Sequence, residues 1–132
     1  MSIDRRILIA DDDREIRLGL ADLLEPLGLD IVLAENGSTA LQMVRSGNLN
    51  LALLDYNMPG ASGLDILEAI QSEFLGIPAI LCSADAGGEL GQLALRAGAY
   101  AVLTKPIMPA QLKQHVVSAL ELPPSMGLTG LA

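Results

Sequence analysis

Leu51-Ala52-Leu53-Leu54-Asp55-Tyr56-Asn57-Met58-Pro59-Gly60 is the stretch that decides the fold. Its first four residues form a short, uninterrupted apolar run closed by turn formers, the pattern of a parallel strand buried on both faces. Asp55 then falls where such a strand ends. In an open α/β sheet the carboxyl ends of the strands are where ligands bind. Pro59-Gly60 turns the chain away. A lone Asp before Asn-x-Pro-Gly ordinarily reads as a turn residue. Three other strand ends change that reading.

Working outward, Arg6-Ile7-Leu8-Ile9-Ala10 reads as a first strand, followed by Asp11-Asp12-Asp13. Ile16, Leu20, Leu23, Leu24 and Leu27 recur at helical spacing, and Pro26-Leu27-Gly28 stops that helix. Asp30–Ala34 is a second strand. Asn36-Gly37-Ser38 opens a helix with Ala40, Leu41 and Val44 inward. Beyond the Asp55 strand, Ser62 and Asp65 have the spacing of a capping box. Their helix is expected to bury Ile66, Leu67, Ile70 and Phe74. Pro78–Cys82 is a fourth strand ending at Ser83-Ala84. The next helix places Leu90, Leu93, Ala94 and Ala97 inward and Leu95 outward. Gly87, Gly88 and Gly91 weaken its start. Ala99–Leu103 is a fifth strand, ending at Thr104-Lys105-Pro106. A last helix runs from about Pro109 to Leu120.

Strict strand-helix alternation implies an α/β fold: a doubly wound, five-stranded parallel sheet with helices on both faces. The strand order 2-1-3-4-5 is adopted from flavodoxin-like (βα)5 sheets rather than read from the residues. Residues 1–122 form the domain; 123–132 read as a C-terminal tail or linker stub. The chain of 132 residues is long enough to bury a core, with 51% apolar residues. No apolar run approaches the ~18 residues of a membrane span. The start lacks the apolar length of a signal peptide, so a cytoplasmic protein is expected. Sixteen acidic residues against eight basic ones give a net charge of -8, which disfavours direct nucleic-acid binding. A single cysteine, Cys82, lies in an apolar run and reads as core. His115, the only histidine, reads as a boundary residue on the last helix.

Four strand ends now carry polar groups: Asp11-Asp12-Asp13, Asp55, Ser83 and Lys105. Each has an ordinary explanation alone, as a helix cap or a solvated lysine. All four together at neighbouring strand ends point to one site. Two carboxylates ~4 Å apart repel by about 4 kcal/mol at an effective dielectric of 20. Lys105 can neutralise one. A hard cation with oxygen ligands, Mg²⁺ first and Mn²⁺ as the alternative, suits the remainder. An open Mg²⁺ site favours phosphate oxygens, and a nearby carboxylate can accept a phosphoryl group.

At these residues the chain resembles the receiver domain of two-component response regulators, from about Arg6 to Leu120. Ile-Leu-Ile-Ala-Asp-Asp-Asp resembles the family's first strand and acidic pair, placed on Asp11 and Asp12. Leu-Leu-Asp-Tyr-Asn-Met-Pro-Gly resembles its phosphoacceptor motif, Ser83-Ala84 its Ser/Thr-Ala, and Thr104-Lys105-Pro106 the region of its lysine. The resemblance implies that Asp55 is phosphorylated. It implies a metal held by Asp12, Asp55 and the Asn57 backbone carbonyl, with Asp11 acting through water. Lys105 and the Ser83 hydroxyl would bind phosphoryl oxygens, and a cis Lys105–Pro106 peptide would aim the lysine. The partner would be a sensor histidine kinase or a histidine phosphotransfer protein. The output face would be the fourth helix, fifth strand and last helix, meeting an output partner or a second copy. The chain would be a phosphorylation-controlled switch that catalyses its own phosphorylation and dephosphorylation, not an enzyme acting on other substrates.

Departures are visible too. Val102 stands where the family usually has its switch aromatic, and Ile107 where a Phe often follows Lys-Pro. Tyr100 and Ala101 stand where many DNA-binding members carry acidic residues. Leu95 off the helix stripe, Tyr100 and Val102 at one parity of the edge strand, and Ile107-Met108 just beyond it are expected to form an exposed apolar patch. Three rivals remain. An aspartyl phosphatase of the haloacid dehalogenase type needs a second Asp where Asn57 stands. A flavodoxin-like carrier needs a phosphate loop where Asp11-Asp12-Asp13 would repel it. A degenerate receiver would lack site groups that are present here.

Overall fold

The apolar runs become five strands: β1 (Arg6–Ala10), β2 (Asp30–Ala34), β3 (Leu51–Asp55), β4 (Ala79–Ser83) and β5 (Ala101–Thr104). The computed structural model describes residues 5–122; the expected tail at 123–132 lies outside the described residues. All the strands pair in parallel, in the order β2-β1-β3-β4-β5. Five helices alternate with them: α1 (Arg14–Leu24), α2 (Gly37–Arg45), α3 (Gly63–Ser72), α4 (Glu89–Arg96) and α5 (Pro109–Ala119). None of the helices among the described residues is long and apolar enough to cross a membrane.

The central strands have no polar alternation because both sheet faces are covered. Residue parity instead sorts the core into two clusters. Ile7, Ile9, Leu51, Leu53, Ile80 and Leu103 face α1 and α5, meeting Leu20, Leu24, Leu112 and Val116. Leu8, Leu54 and Leu81 face α2, α3 and α4, meeting Val44, Ile66, Leu67, Ile70 and Ala94. Each fully buried Leu or Ile contributes about 1.5–3 kcal/mol of transfer free energy. Cys82 lies in the first cluster, as expected, and burial pushes its thiol up to about 12.

Several expectations fail, each for a local reason. Phe74 is 92% exposed rather than inward. The α3 helix ends at Ser72, two residues before Phe74. Phe74 adopts φ 52, Leu75 N–H donates to Ile70 O at 3.0 Å, and Phe74 N–H donates to Gln71 O at 3.3 Å. This is a Schellman cap with a bulky residue at the position usually held by glycine. The left-handed backbone costs a non-glycine residue roughly 1–2 kcal/mol and swings the ring off the inner face.

Leu93 is 45% exposed, because the buried side of α4 is set by Gly91 and Ala94. Gly91, read from sequence as a weakness, is a packing position: a Cβ there would overlap the Ala86 carbonyl oxygen. Ile16 is 37% exposed, its helical turn lining a shallow hollow with Leu20, Leu23, Pro106 and Ile107. The expected exposed patch is smaller than the sequence implies. Val102 is partly buried against the second core cluster and Ile107 against the first, whereas Leu95, Tyr100 and Met108 remain exposed. With one Phe and no Trp in the chain, small aliphatic side chains such as Val102 fill the space beside α4.

Candidate functional site

The site assembles at the carboxyl edge of β1, β3, β4 and β5. Parallel pairing sets Asp55 opposite Cys82 and Ser83 opposite Thr104, so the polar residues follow neighbouring strands at one level. Tyr56 N–H donates to Cys82 O at 2.9 Å and Lys105 N–H to Ser83 O at 2.9 Å, carrying the ladder just past the strand ends.

Asp11 and Asp55 are buried, 2% and 6% exposed, whereas Asp12 is exposed. One carboxylate oxygen from each of Asp11, Asp12 and Asp55 lies within 4.8 Å of the others. Lys105 Nζ lies 2.9 Å from Asp55 Oδ1 and 3.1 Å from Asp11 Oδ2. One ammonium thus serves two buried carboxylates, and three carboxylates against one lysine leave an excess of negative charge. The lysine is the first residue of a cis Lys105–Pro106 peptide.

The charge imbalance is visible in the proton affinities. Burial raises the Asp55 carboxyl above the usual aspartate value. The Lys105 hydrogen bond lowers it in part, and the charges of Asp11 and Asp12 raise it further. Burial lowers Lys105, but hydrogen bonds to Asp55 and Asp11 more than offset that, and its net shift is upward. Burial opposes charge at both groups, while the charges of Asp11 and Asp12 at Asp55 and the carboxylate hydrogen bonds at Lys105 favour positive charge in the pocket. The donor set of hard carboxylate oxygens, partly open at Asp12, fits a divalent Mg²⁺ or Mn²⁺ and would not suit a soft metal.

The loops around the site are held by the backbone. Asp13 caps α1, its Oδ1 accepting Ile16 N–H at 3.1 Å, while Asp11 Oδ1 accepts Asp13 N–H at 2.9 Å. The acidic run therefore serves both as a cap and as site carboxylates. Arg17 Nη1 donates to the Asp11 carbonyl at 2.7 Å. Nothing in the sequence reading singled out Arg17; its place one turn into α1, within reach of the acidic loop, was the available signal. Gly63 was also missed: a Cβ there would lie 2.5 Å from the Asp55 carbonyl oxygen and from Leu81 Cδ1. Asn57 lies exposed in the loop beyond Asp55. Ser83 is 4% exposed, and its Oγ accepts Asp85 N–H at 3.2 Å, leaving the hydroxyl hydrogen available to a ligand. His115 is half-buried on α5 and Val102 sits under α4, neither among the charged groups.

The arrangement can bind a cation, present a carboxylate to an electrophile, and pair the resulting anion with Lys105 and Ser83. The family model for the response regulator receiver domain matches residues 7–117. The chemotaxis protein CheY of Pseudomonas aeruginosa is 33% identical over 119 residues, covering 88% of this chain and 96% of CheY. The response regulator protein PilR of the same organism is 33% identical over 118 residues, covering 89% of this chain but 26% of PilR. Among solved structures, a CheY-like receiver domain from Methanospirillum hungatei is 30% identical with a TM-score of 0.83, covering 90% of this chain and 95% of that one.

Proposed function

Because the chain belongs to the receiver domain family of response regulators, the signalling switches of two-component systems, we propose that Asp55 is its phosphoacceptor. The observation that carries this reading is the Asp55 carboxylate, buried beside Asp11 and Asp12 and held by Lys105 at 2.9 Å. An Asp55 carboxylate oxygen forms a bond to phosphorus as the P–N bond of a donor phosphohistidine breaks, and the imidazole leaves. With a small acyl phosphate the broken bond is P–O and the carboxylate of the donor leaves. A divalent cation held by Asp12, Asp55 and the Asn57 carbonyl, with Asp11 through water, would neutralise phosphoryl oxygens. Lys105 Nζ would turn from Asp55 towards a phosphoryl oxygen, and the Ser83 hydroxyl would donate to another. Water later hydrolyses the acyl phosphate, so the chain catalyses both steps on itself.

Response regulator receivers work with histidine kinases; for this chain the donor is a sensor kinase or a histidine phosphotransfer protein. The Ser83 contact would draw the β4–α4 loop inward and reset the face of α4, β5 and α5. Leu95 and Tyr100 are 53% and 40% exposed there and offer an apolar contact to an output partner or a second copy. Val102 in place of an aromatic makes a rotamer switch at that position a poor fit for this chain.

Mass spectrometry after incubation with acetyl phosphate and Mg²⁺ tests the assignment. One phosphoryl adduct is expected, absent without Mg²⁺ and absent in Asp55→Asn. An undiminished adduct in that variant would sink it.

A further inference from the structure

We infer that Gly37, at the start of α2 and remote from the carboxylates in sequence, is a positioning residue for the loop that offers the Asn57 carbonyl to the metal. The inference rests on the metal site proposed above. Residues 36–38 and 59–61 meet backbone to backbone. Gly37 N–H donates to the Pro59 carbonyl at 2.8 Å. The Ala61 carbonyl oxygen occupies the place where a Gly37 side chain would begin, and a Cβ there would also lie 2.6 Å from Ala61 N and C. Gly60, at φ +90, packs on Ser38, where a Cβ would overlap Oγ and lie 3.1 Å from the backbone N. Only a residue without a side chain admits this approach.

The contact has a defined place relative to the site. The loop from Tyr56 to Ser62 is tied on its inner side, where Tyr56 N–H donates to Cys82 O and Tyr56 O accepts Gly63 N–H at 2.9 Å. Asn57 lies between those inner ties and the outer tie at Pro59. A carbonyl ligand has no side-chain torsions of its own, so its direction is set by the peptide planes on either side. Fixing Tyr56 and Pro59 fixes the two ends of that short path. The α2 end of the contact is itself held, because Asn36 Oδ1 accepts Thr39 N–H at 2.8 Å and caps the helix. The sheet wall and α2 thus hold the Asn57 loop from opposite sides. Gly37 touches none of the reacting groups and acts through the backbone of the loop.

The test is a titration of the metal-free protein with MgCl₂, followed by two-dimensional NMR at the Asn57 amide, with circular dichroism to verify folding. Partners that orient metal ligands typically account for 10–100-fold in metal affinity. Gly37→Ala is expected to weaken Mg²⁺ binding at least tenfold. Gly47→Ala, beyond the other end of the same helix at φ +82 with open space around it, strains the backbone without touching the loop. It should leave Mg²⁺ affinity within twofold of wild type. Asn36→Ala, which only loosens the cap, should weaken binding two- to fourfold and decides the matter if Gly37→Ala does not fold. Wild-type affinity in folded Gly37→Ala overturns the inference, as does wild-type affinity in Asn36→Ala where Gly37→Ala fails to fold. So does an equal loss in Gly47→Ala. If the wild-type protein binds no Mg²⁺, or Asp12→Ala binds as well as wild type, the metal site itself is wrong.

Discussion

The two loops that flank Asp55 are built by opposite rules. The β3–α3 side is tied at several points. Ser62 Oγ accepts Asp65 N–H at 3.0 Å, Asp65 Oδ2 accepts Ser62 N–H at 3.0 Å, and Gly63 packs on the Asp55 carbonyl. The β4–α4 side, which carries Ser83, begins its helix at Gly88 with no side-chain cap. Its first helical bond, Gln92 N–H to Gly88 O, is long at 3.4 Å. On the proposed function the difference has a reason: a phosphoacceptor at Asp55 would have to stay aligned on a held wall, and a Ser83 that closes on a phosphoryl oxygen would have to travel on a loose one. The free-energy gap between a capped and an uncapped helix start is only about 0.5–2 kcal/mol. Within a fold of marginal stability that is enough to decide which wall opens first.

Substitutions on the two sides can break the comparison. The largest effect is expected at Gly63. Gly63→Ala pushes a Cβ against the Asp55 carbonyl and Leu81, both fixed in the sheet, and should cost about 3 kcal/mol in urea unfolding. Gly91→Ala also creates an overlap, with the Ala86 carbonyl. Here the loop can yield, and alanine adds up to ~1 kcal/mol of helix propensity, so the net change should stay within about 1 kcal/mol. Equal costs at the two glycines would remove the distinction between held and yielding walls.

The next effect concerns charge on the held wall. The folded protein raises the Asp55 carboxyl above its unfolded value. Ionised Asp55 therefore destabilises the metal-free fold once the pH exceeds the raised value, and the penalty disappears as the pH falls below the unfolded value near 3.8. Asp55→Asn should stabilise the metal-free protein near neutral pH, where the ionised carboxylate is the disfavoured form in the fold. The gain should shrink to nothing in acid. A gain independent of pH would point to packing instead. Lys105, raised in the fold, contributes stability that is present below its unfolded value near 10.5 and lost as the pH rises through its folded value.

Ser62→Ala should cost about 1 kcal/mol by removing the reciprocal cap of α3. Its amides from Gly63 to Ile66 should then exchange with solvent as readily as those from Ala86 to Gly91 do in the wild-type protein. The smallest effect is expected on the other side. Gly88→Asn supplies the missing cap of α4 and should stabilise by a few tenths of a kcal/mol, visible mainly as slower exchange at Leu90 and Gly91. If both segments exchange alike in the wild-type protein, the two walls do not differ.

The strands, though not their order, and most residues of the candidate site could be read directly. Central strands buried on both faces are apolar without interruption, so Leu51–Leu54 and Ile80–Cys82 announce themselves whatever surrounds them. Asp11, Asp55, Ser83 and Lys105 stand out because polar residues interrupt apolar runs where those runs stop. Phe74 and Leu93 were misplaced because a helical stripe assigns direction only while the helix lasts and only relative to an assumed inner face. The end of α3 is set by hydrogen bonds to Gln71 and Ile70, and the inner face of α4 by the Ala86 carbonyl. Neither leaves a periodic trace.

The chain alone therefore determined the alternation of strands and helices, the acidic ends of β1 and β3 and the lysine at the end of β5, because these depend on residue type and local order. Tertiary structure decided which oxygens share Lys105, that Val102 lies under α4, and that Gly37 receives the Ala61 carbonyl. Those facts depend on how closely segments distant in sequence approach one another, and such distances are set by the packing of the whole domain.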